Sequence, residues 1–449
     1  MPLASDRPAD SSALPHRSPT FVVLICFVSI VFDGYDLVVY GATIPPILAY
    51  QEWAVTPEQA GAIGSYALMG MLIGTLTVGA ITDILGRRKI MLFSITWFSA
   101  AMGLSALATS PEMLGVLRFV AGLGLGGVVP TAIALTVEYS PKHRRQLNNA
   151  LMYSGYFVGG LLTALAGLLL LPHVDFRAMY AIGALPLVLV LPIAWRYLPE
   201  SVAFLVARGR HDEARTLADQ YGLEIDDIVP SAAPSPKDTD RLAGIRTLFR
   251  RTYLLATLLF AAASFCGLLL VYGLNTWLPN IMRTAGYALS SSLLFVLALN
   301  IGGIVGTIAA SRLADRIGIK PVAVGAFGAA TLSILLLSVN FPLALLILAV
   351  AVAGFGTGAQ ILVNGYVAVH YPASSRATAL GWSLGIGRIG AILGPILGGL
   401  VAGSALGYQW NFYLFAVFAL LGALLIAAVP QARVAAEAPE RTAPQGRRP

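Results

Sequence analysis

Apolar residues run along this chain in long blocks, without the short alternations of a soluble fold. Many blocks hold about 18 or more residues with few charges, enough to cross a hydrocarbon core of about 30 Å as a helix. Twelve spans are marked, at 20–44, 60–82, 89–108, 112–137, 147–171, 177–198, 252–279, 290–312, 320–339, 342–369, 376–402 and 409–430. A polar stretch at 199–251, holding PSAAPSPKDTDR, separates the sixth span from the seventh. The pattern predicts an all-α integral membrane protein with twelve transmembrane helices. Its expected parts are a tail at 1–19, a six-helix bundle at 20–198, a linker at 199–251, a second bundle at 252–430 and a tail at 431–449. The first span is too long for the apolar region of a signal peptide and is read as retained.

Composition agrees with this pattern. Hydrophobic residues make up 57% of the 449 and charged residues 11%, against about 25% charged in soluble domains. The 46 glycines and 26 prolines suit closely packed, kinked membrane helices. Cys26 and Cys266 both lie in apolar runs and the five histidines are scattered, so neither a disulfide framework nor a metal site is expected, and no cofactor. With both termini placed in the cytoplasm, 25 of the 29 Lys and Arg fall inside and two, Arg177 and Arg283, outside. That asymmetry sets the orientation. It also accounts for the net charge of +7 through topology and contact with membrane lipid, with no nucleic-acid partner.

The two bundles repeat at a constant offset of 232 residues. TDILGRRK (82–89) matches ADRIGIKP (314–321), and VAGLGLGG (120–127) matches VAGFGTGA (352–359); Tyr40-Gly41 pairs with Tyr272-Gly273 and Arg144 with Arg376. Six spans per copy give both copies the same orientation, so the repeats are parallel about an axis along the membrane normal. Halves of this kind can rock around a shared central site.

Four formal charges lie well inside the spans: Asp33, Asp36, Arg118 and Arg388. Each costs at least about 2.5–3.5 kcal/mol at such depth. A buried ion-pair network that only ties helices together is one reading. The other is a transport site whose pairings change between states. Asp33 and Asp36 stand one helical turn apart on one face. Two close carboxylates resist being ionised together, while a nearby arginine favours their charge. One of them, Asp33 by its depth, is the expected proton carrier. Arg388 lies near mid-membrane among Gly385, Gly387 and Gly390, and its planar fork suits bidentate binding of a carboxylate. Its repeat mate is Tyr156, so the fold does not require an arginine there. Arg118 is expected to pair with Asp36 or Glu112, or to join proton coupling. Tyr40, Tyr153, Tyr156, Asn275, Trp277, Gln360, Asn364, Tyr366 and Trp382 could frame an aromatic ring; Gln360 and Asn364, four apart on one face, are the best of this set. No nucleophile–base pair supports an enzyme.

GAITDILGRRK (79–89) and RFVAGLGLGG (118–127) resemble signatures of the major facilitator superfamily, although Ile84 stands where a basic residue is usual. LPES (198–201) resembles its sugar-porter and organic-ion branches. DGYD (33–36), together with YPASSRATALGWSLGIGRIGAILGPILGG (371–399), resembles the aromatic acid/proton symporter family. The resemblance covers nearly the whole chain. It implies a monomeric inner-membrane carrier of a small aromatic acid, with protons as coupling ion, and both aspartates taking part. It also implies a cytoplasmic latch of Gly79, Asp83, Gly86, Arg87 and Arg88, joined by Glu138 and Arg144, with Asp315, Arg316 and Arg376 as the second copy. Symport of another organic anion or a sugar-like solute is the alternative, although a sugar needs no Arg388. A drug/proton antiporter fits less well, because span 5 lacks proline and the Gly394-Pro395 pair sits in span 11.

Overall fold

The computed structural model describes residues 18–228, 243–339 and 341–430. Its membrane helices are α1 (Pro19–Ala49), α2 (Pro57–Leu85), α3 (Arg87–Ser105), α4 (Pro111–Glu138), α5 (Arg145–Leu170), α6 (Arg177–Tyr197), α7 (Arg251–Thr284), α8 (Leu289–Ile317), α9 (Ile319–Leu336), α10 (Leu343–His370), α11 (Ala373–Ala402) and α12 (Gln409–Ala428). No strand occurs among the described residues. Eleven of the twelve are long and apolar enough to cross a membrane by length and composition. The remaining one, α3, opens on Arg87-Arg88-Lys89.

Local chemistry sets several ends. At α2, Thr56 and Gln59 form a reciprocal capping box with Pro57 in the first turn. At α4, the Ser110 hydroxyl accepts from the Met113 N–H ahead of Pro111. Gly86 ends α2 with φ of 90° and Gly318 ends α8 with φ of 95°. Those angles suit glycine alone, and they turn the chain straight into the next helix.

Two expected continuous spans are interrupted. The sixth stops at Ile182 and resumes at Pro186, whose ring excludes the carbonyl four residues back. The tenth breaks between Thr357 and Ala359, at Gly358. The linker also holds helices, at Val202–Ala207, His211–Tyr221, Ile225–Ile228 and Ala243–Leu248. The expected tails at 1–19 and 431–449 lie largely outside the described residues.

The repeat is visible as packing. A Cβ on Gly70, Gly74, Gly122 or Gly126 would overlap the facing backbone of α4 or α2; Gly302, Gly306 and Gly354 meet α10 or α8 in the same way. The contacted residues correspond too: Gly122 meets Ala67 while Gly354 meets Leu299, and Gly70 meets Phe119 while Gly302 meets Ala351. Close backbone approach is what small residues provide where lipid supplies no hydrophobic drive between helices.

The halves meet at the end away from the linker. There α2 and α11 run antiparallel: Gly61 packs on Pro395 and Gly399, and Gly64 on Pro395. The symmetry-related pair, α5 and α8, meets through Gly160 with Asn300 and Gly167 with Leu293. Toward the linker the helices part. No atom of another element lies within 4 Å of a Cβ built on Gly79, Gly381 or Gly385. A cavity between the halves therefore opens toward the linker end.

Candidate functional site

Helix α1 passes between the halves. Gly34 lets it approach α5 so closely that a Cβ would overlap the Tyr156 carbonyl, and Gly41 does the same against Asn275 of α7. The aspartates flanking Gly34 are thereby pinned at the meeting of the halves. Both are buried, at 2% and 1% exposure.

Asp36 pairs with Arg118 at 2.6 Å, and the same guanidinium nitrogen donates to the Asp36 carbonyl at 2.9 Å. Arg118 is 1% exposed and lies over the Tyr40 ring at 5.7 Å. Glu112, the other expected partner, stands in the exposed first turn of α4.

Asp33 and Arg388 face one another from opposite halves, within electrostatic reach. One carboxylate oxygen of Asp33 is buried with no hydrogen-bond partner. Arg388 is half-buried, and its guanidinium donates to the Met71 thioether at 3.2 Å. Sulfur is a weak acceptor, and Tyr272 is a second hydrogen-bond neighbour of the guanidinium. Tyr153, Tyr156 and Tyr272 surround this pair, each within reach of both charges. Tyr153 is 37% exposed and opens to the cavity, while the Tyr156 hydroxyl is buried without a partner. In the C-terminal half, Gln360 donates to the Asn364 side-chain oxygen at 3.0 Å and to the Ser264 hydroxyl at 3.2 Å; Ser264 meets Ser383 at 2.7 Å. Gly387, beside Arg388, packs on Ser264.

Some expected site residues lie elsewhere. The Tyr40 hydroxyl donates to the Ala60 carbonyl at 2.7 Å, so Tyr40 is fully engaged beside Arg118. Asn275 donates to the Val271 carbonyl of its own helix at 2.8 Å, and its backbone packs on Gly41. Trp382 stands edge-on to Phe249 and lines an apolar groove of about 500 Å³ with Phe265 and Phe418, away from Arg388. Trp277 holds α11 through the Pro395 carbonyl, and Tyr366 packs on Phe260 and His370. Tyr272 was absent from the expected ring-framing set. Its signal was available as the repeat mate of Tyr40.

The latch residues do not bridge the halves in this conformation. Arg87 pairs with Glu138, which also accepts from Ser201, within the N-terminal half. Arg88 donates to the Trp195 carbonyl at 2.5 Å, at the end of α6. Its mate Lys320 donates to the Val429 carbonyl at 2.7 Å, after α12. Each base thus ties its own half together. Gly86 is buried against Glu200. Gly79, Arg144, Asp315, Arg316 and Arg376 are exposed, and no ion pair joins the last four among the described residues. The Asp83 side chain lies outside the described residues. No group of His, Cys, Asp and Glu able to hold a metal ion occurs among the described residues.

The model of the Major Facilitator Superfamily matches residues 26–382 and again 298–449. A benzoate transport protein of Acinetobacter baylyi is 38% identical over 415 residues, 90% of this chain and 88% of its own. A gentisate transporter of Corynebacterium glutamicum is 38% identical over 408 residues, 90% of this chain and 86% of its own. The 4-hydroxybenzoate transporter PcaK of Pseudomonas putida is 32% identical over 401 residues, 87% of each chain. Among solved structures, the xylose transporter XylE of E. coli superposes with a TM-score of 0.73 at 17% identity, covering 93% of this chain and 98% of its own, which speaks for the fold. The chain belongs to the major facilitator superfamily, in its family of aromatic acid transporters.

Proposed function

We propose that the protein takes up a small aromatic carboxylate together with protons, by alternating access across the cytoplasmic membrane. The linker end and both termini lie in the cytoplasm in this reading, supported by the distribution of basic residues. The carrier acts as a monomer. The observation that carries the reading is the pair at the meeting of the halves. Arg388 is held by the Met71 thioether and the Tyr272 hydroxyl and by no carboxylate among the described residues, and Asp33 lies within electrostatic reach of it with an unpartnered oxygen.

With the cavity open to the outside, Asp33 takes a proton from external water. That removes the negative charge facing Arg388. The incoming carboxylate then binds the guanidinium through two parallel hydrogen bonds and displaces Met71. Its ring lies among Tyr153, Tyr156 and Tyr272, with Gln360 and Asn364 on the C-terminal wall. The loaded site is close to neutral, so the halves close over it without sealing an unpaired charge in a dry space. Once the cavity opens to the cytoplasm, as in this conformation, Asp33 releases its proton. The restored carboxylate competes for Arg388 and helps expel the substrate. Asp36 stays paired with Arg118 throughout. In the outward-open state the linker ends of α2 and α11 come together, and the last turns of α2, around Gly79 and Asp83, meet the second half.

The test uses de-energised cells in weak buffer. Adding benzoate or a hydroxybenzoate raises external pH as protons enter with the acid. Uptake without alkalinisation sinks the symport reading. Asp33→Asn abolishes uphill accumulation but leaves exchange of labelled for unlabelled acid.

A further inference from the structure

The amide–hydroxyl chain of the C-terminal half has a chemical gap. Gln360 spends its two amide hydrogens on Asn364 and Ser264, which leaves its own side-chain oxygen buried with no partner. Gln360 is 6% exposed, and a Cβ at Gly267 would collide with that oxygen, so the glycine makes the room in which it sits. Asn364 is half-buried, and its oxygen is taken by Gln360. Its amide hydrogens remain to be donated. The unfilled acceptor lies against Gly267, and Asn364, four residues on along the same helical face, keeps its amide hydrogens. A hydroxyl group is both donor and acceptor, and it completes the pair with a single oxygen. A buried acceptor with no partner costs free energy in the empty carrier, and a ligand bearing a donor relieves that cost.

The position suits such a ligand. Ser383, the far end of the chain, stands on α11 five residues before Arg388, about 7.5 Å of helix toward the linker. A benzoate ring with a substituent opposite its carboxylate is about that long. We propose that Gln360 and Asn364 recognise a hydroxyl on the ring of the carried acid, so that the protein prefers hydroxylated benzoates to benzoate. This rests on the transport reading above, with Arg388 as the carboxylate anchor.

Dissociation constants of the purified full chain test it, with benzoate, 4-hydroxybenzoate, 3-hydroxybenzoate and 4-methoxybenzoate. At least one hydroxybenzoate binds about tenfold tighter than benzoate, as one good hydrogen bond to a buried group provides. The methoxy acid, which cannot donate, gains nothing. Asn364→Leu and Gln360→Met each bring the hydroxybenzoate-to-benzoate ratio toward one. Equal binding of all four acids to the parent protein overturns the inference while leaving the transport reading intact. So does a ratio that survives both substitutions. Failure of every acid to bind the folded parent overturns the transport reading, and the inference with it. The parent ligand series decides the matter even if a variant does not fold.

Discussion

Two arginines lie well inside the membrane spans, each near an aspartate of α1, and they are held in opposite ways. Arg118 is sealed: a carboxylate, a backbone carbonyl and an aromatic face surround it. Arg388 is half-buried, meets the Met71 thioether and the Tyr272 hydroxyl, and lies across the boundary between halves from Asp33, one of whose carboxylate oxygens is unpartnered. Residue type is the same in both places. A charge paired with a buried countercharge of its own half, as Arg118 is with Asp36, moves with that half as a rigid part, although the Arg118 Nε and one Asp36 oxygen have no partner. A group left incomplete at the boundary has something to offer a ligand and something to lose when the boundary shifts.

The sharpest way to break this contrast is to remove each arginine and measure stability. Arg118→Ala leaves Asp36 charged, buried and alone, which costs about 3–5 kcal/mol. Thermal unfolding in detergent reports it as a large drop in midpoint. Arg388→Ala leaves the midpoint close to that of the parent; a comparable drop would make Arg388 as structural as Arg118.

Ligand affinity reverses the order of importance. Losing a buried charged partner costs about 2–5 kcal/mol, so Arg388→Ala weakens benzoate or hydroxybenzoate binding roughly thirtyfold or more. Arg388→Lys, which keeps the charge and loses the fork, weakens it less. Unchanged affinity in folded Arg388→Ala removes the carboxylate from this site.

The two aspartates separate by pH. If protonation of Asp33 precedes binding, affinity falls as pH rises, and by linkage the bound acid promotes proton uptake. Asp33→Asn, fixed in the neutral form, flattens that dependence, whereas Asp36→Asn keeps it. Titrations across the neutral range decide between them. An Asp33→Asn protein as pH-sensitive as its parent moves the switch elsewhere.

The smallest effect is expected on the surface. Arg210 holds Glu213 at 2.7 and 2.5 Å in the linker and pushes its carboxyl below the usual range. A depressed carboxylate stabilises above its unfolded pKa and loses that contribution as pH falls through the folded one. The pair is exposed and screened, so Glu213→Gln leaves the unfolding midpoint unmoved within error at neutral pH. A clear shift would show that this linker helix braces the bundle.

Much of this was legible in the chain, for identifiable reasons. Burying a charge in lipid is costly enough that Asp33, Asp36, Arg118 and Arg388 stood out with no structure. The constant offset forecast two bundles of one design, and α2 packs on α4 as α8 packs on α10. What stayed hidden was the facing of residues on helices surrounded by apolar neighbours. Nothing in the sequence distinguishes a tyrosine sealed beside Arg118, such as Tyr40, from its mate Tyr272 beside Arg388. Trp382 was misread for the same reason: six residues before Arg388, it shares that helix but not its side. The expected latch residues differ from the others, because, among the described residues, none of them bridges the halves in this conformation. Here Arg87 and Arg88 are spent within their own half.

The glycine contacts at the end away from the linker also act as a fulcrum. Helix α2 touches α11 at Gly61 and Gly64 and is free at Gly79. From Gly61 to Leu85 it is a stiff rod about 36 Å long, and a tilt of about 10° about its contact sweeps the far tip through about 6 Å. The backbones at the fulcrum touch, so the lever has almost no slack there. A methyl group at Gly61 would change the angle of the whole arm, while the same methyl at Gly79 would add only its own width to the moving tip.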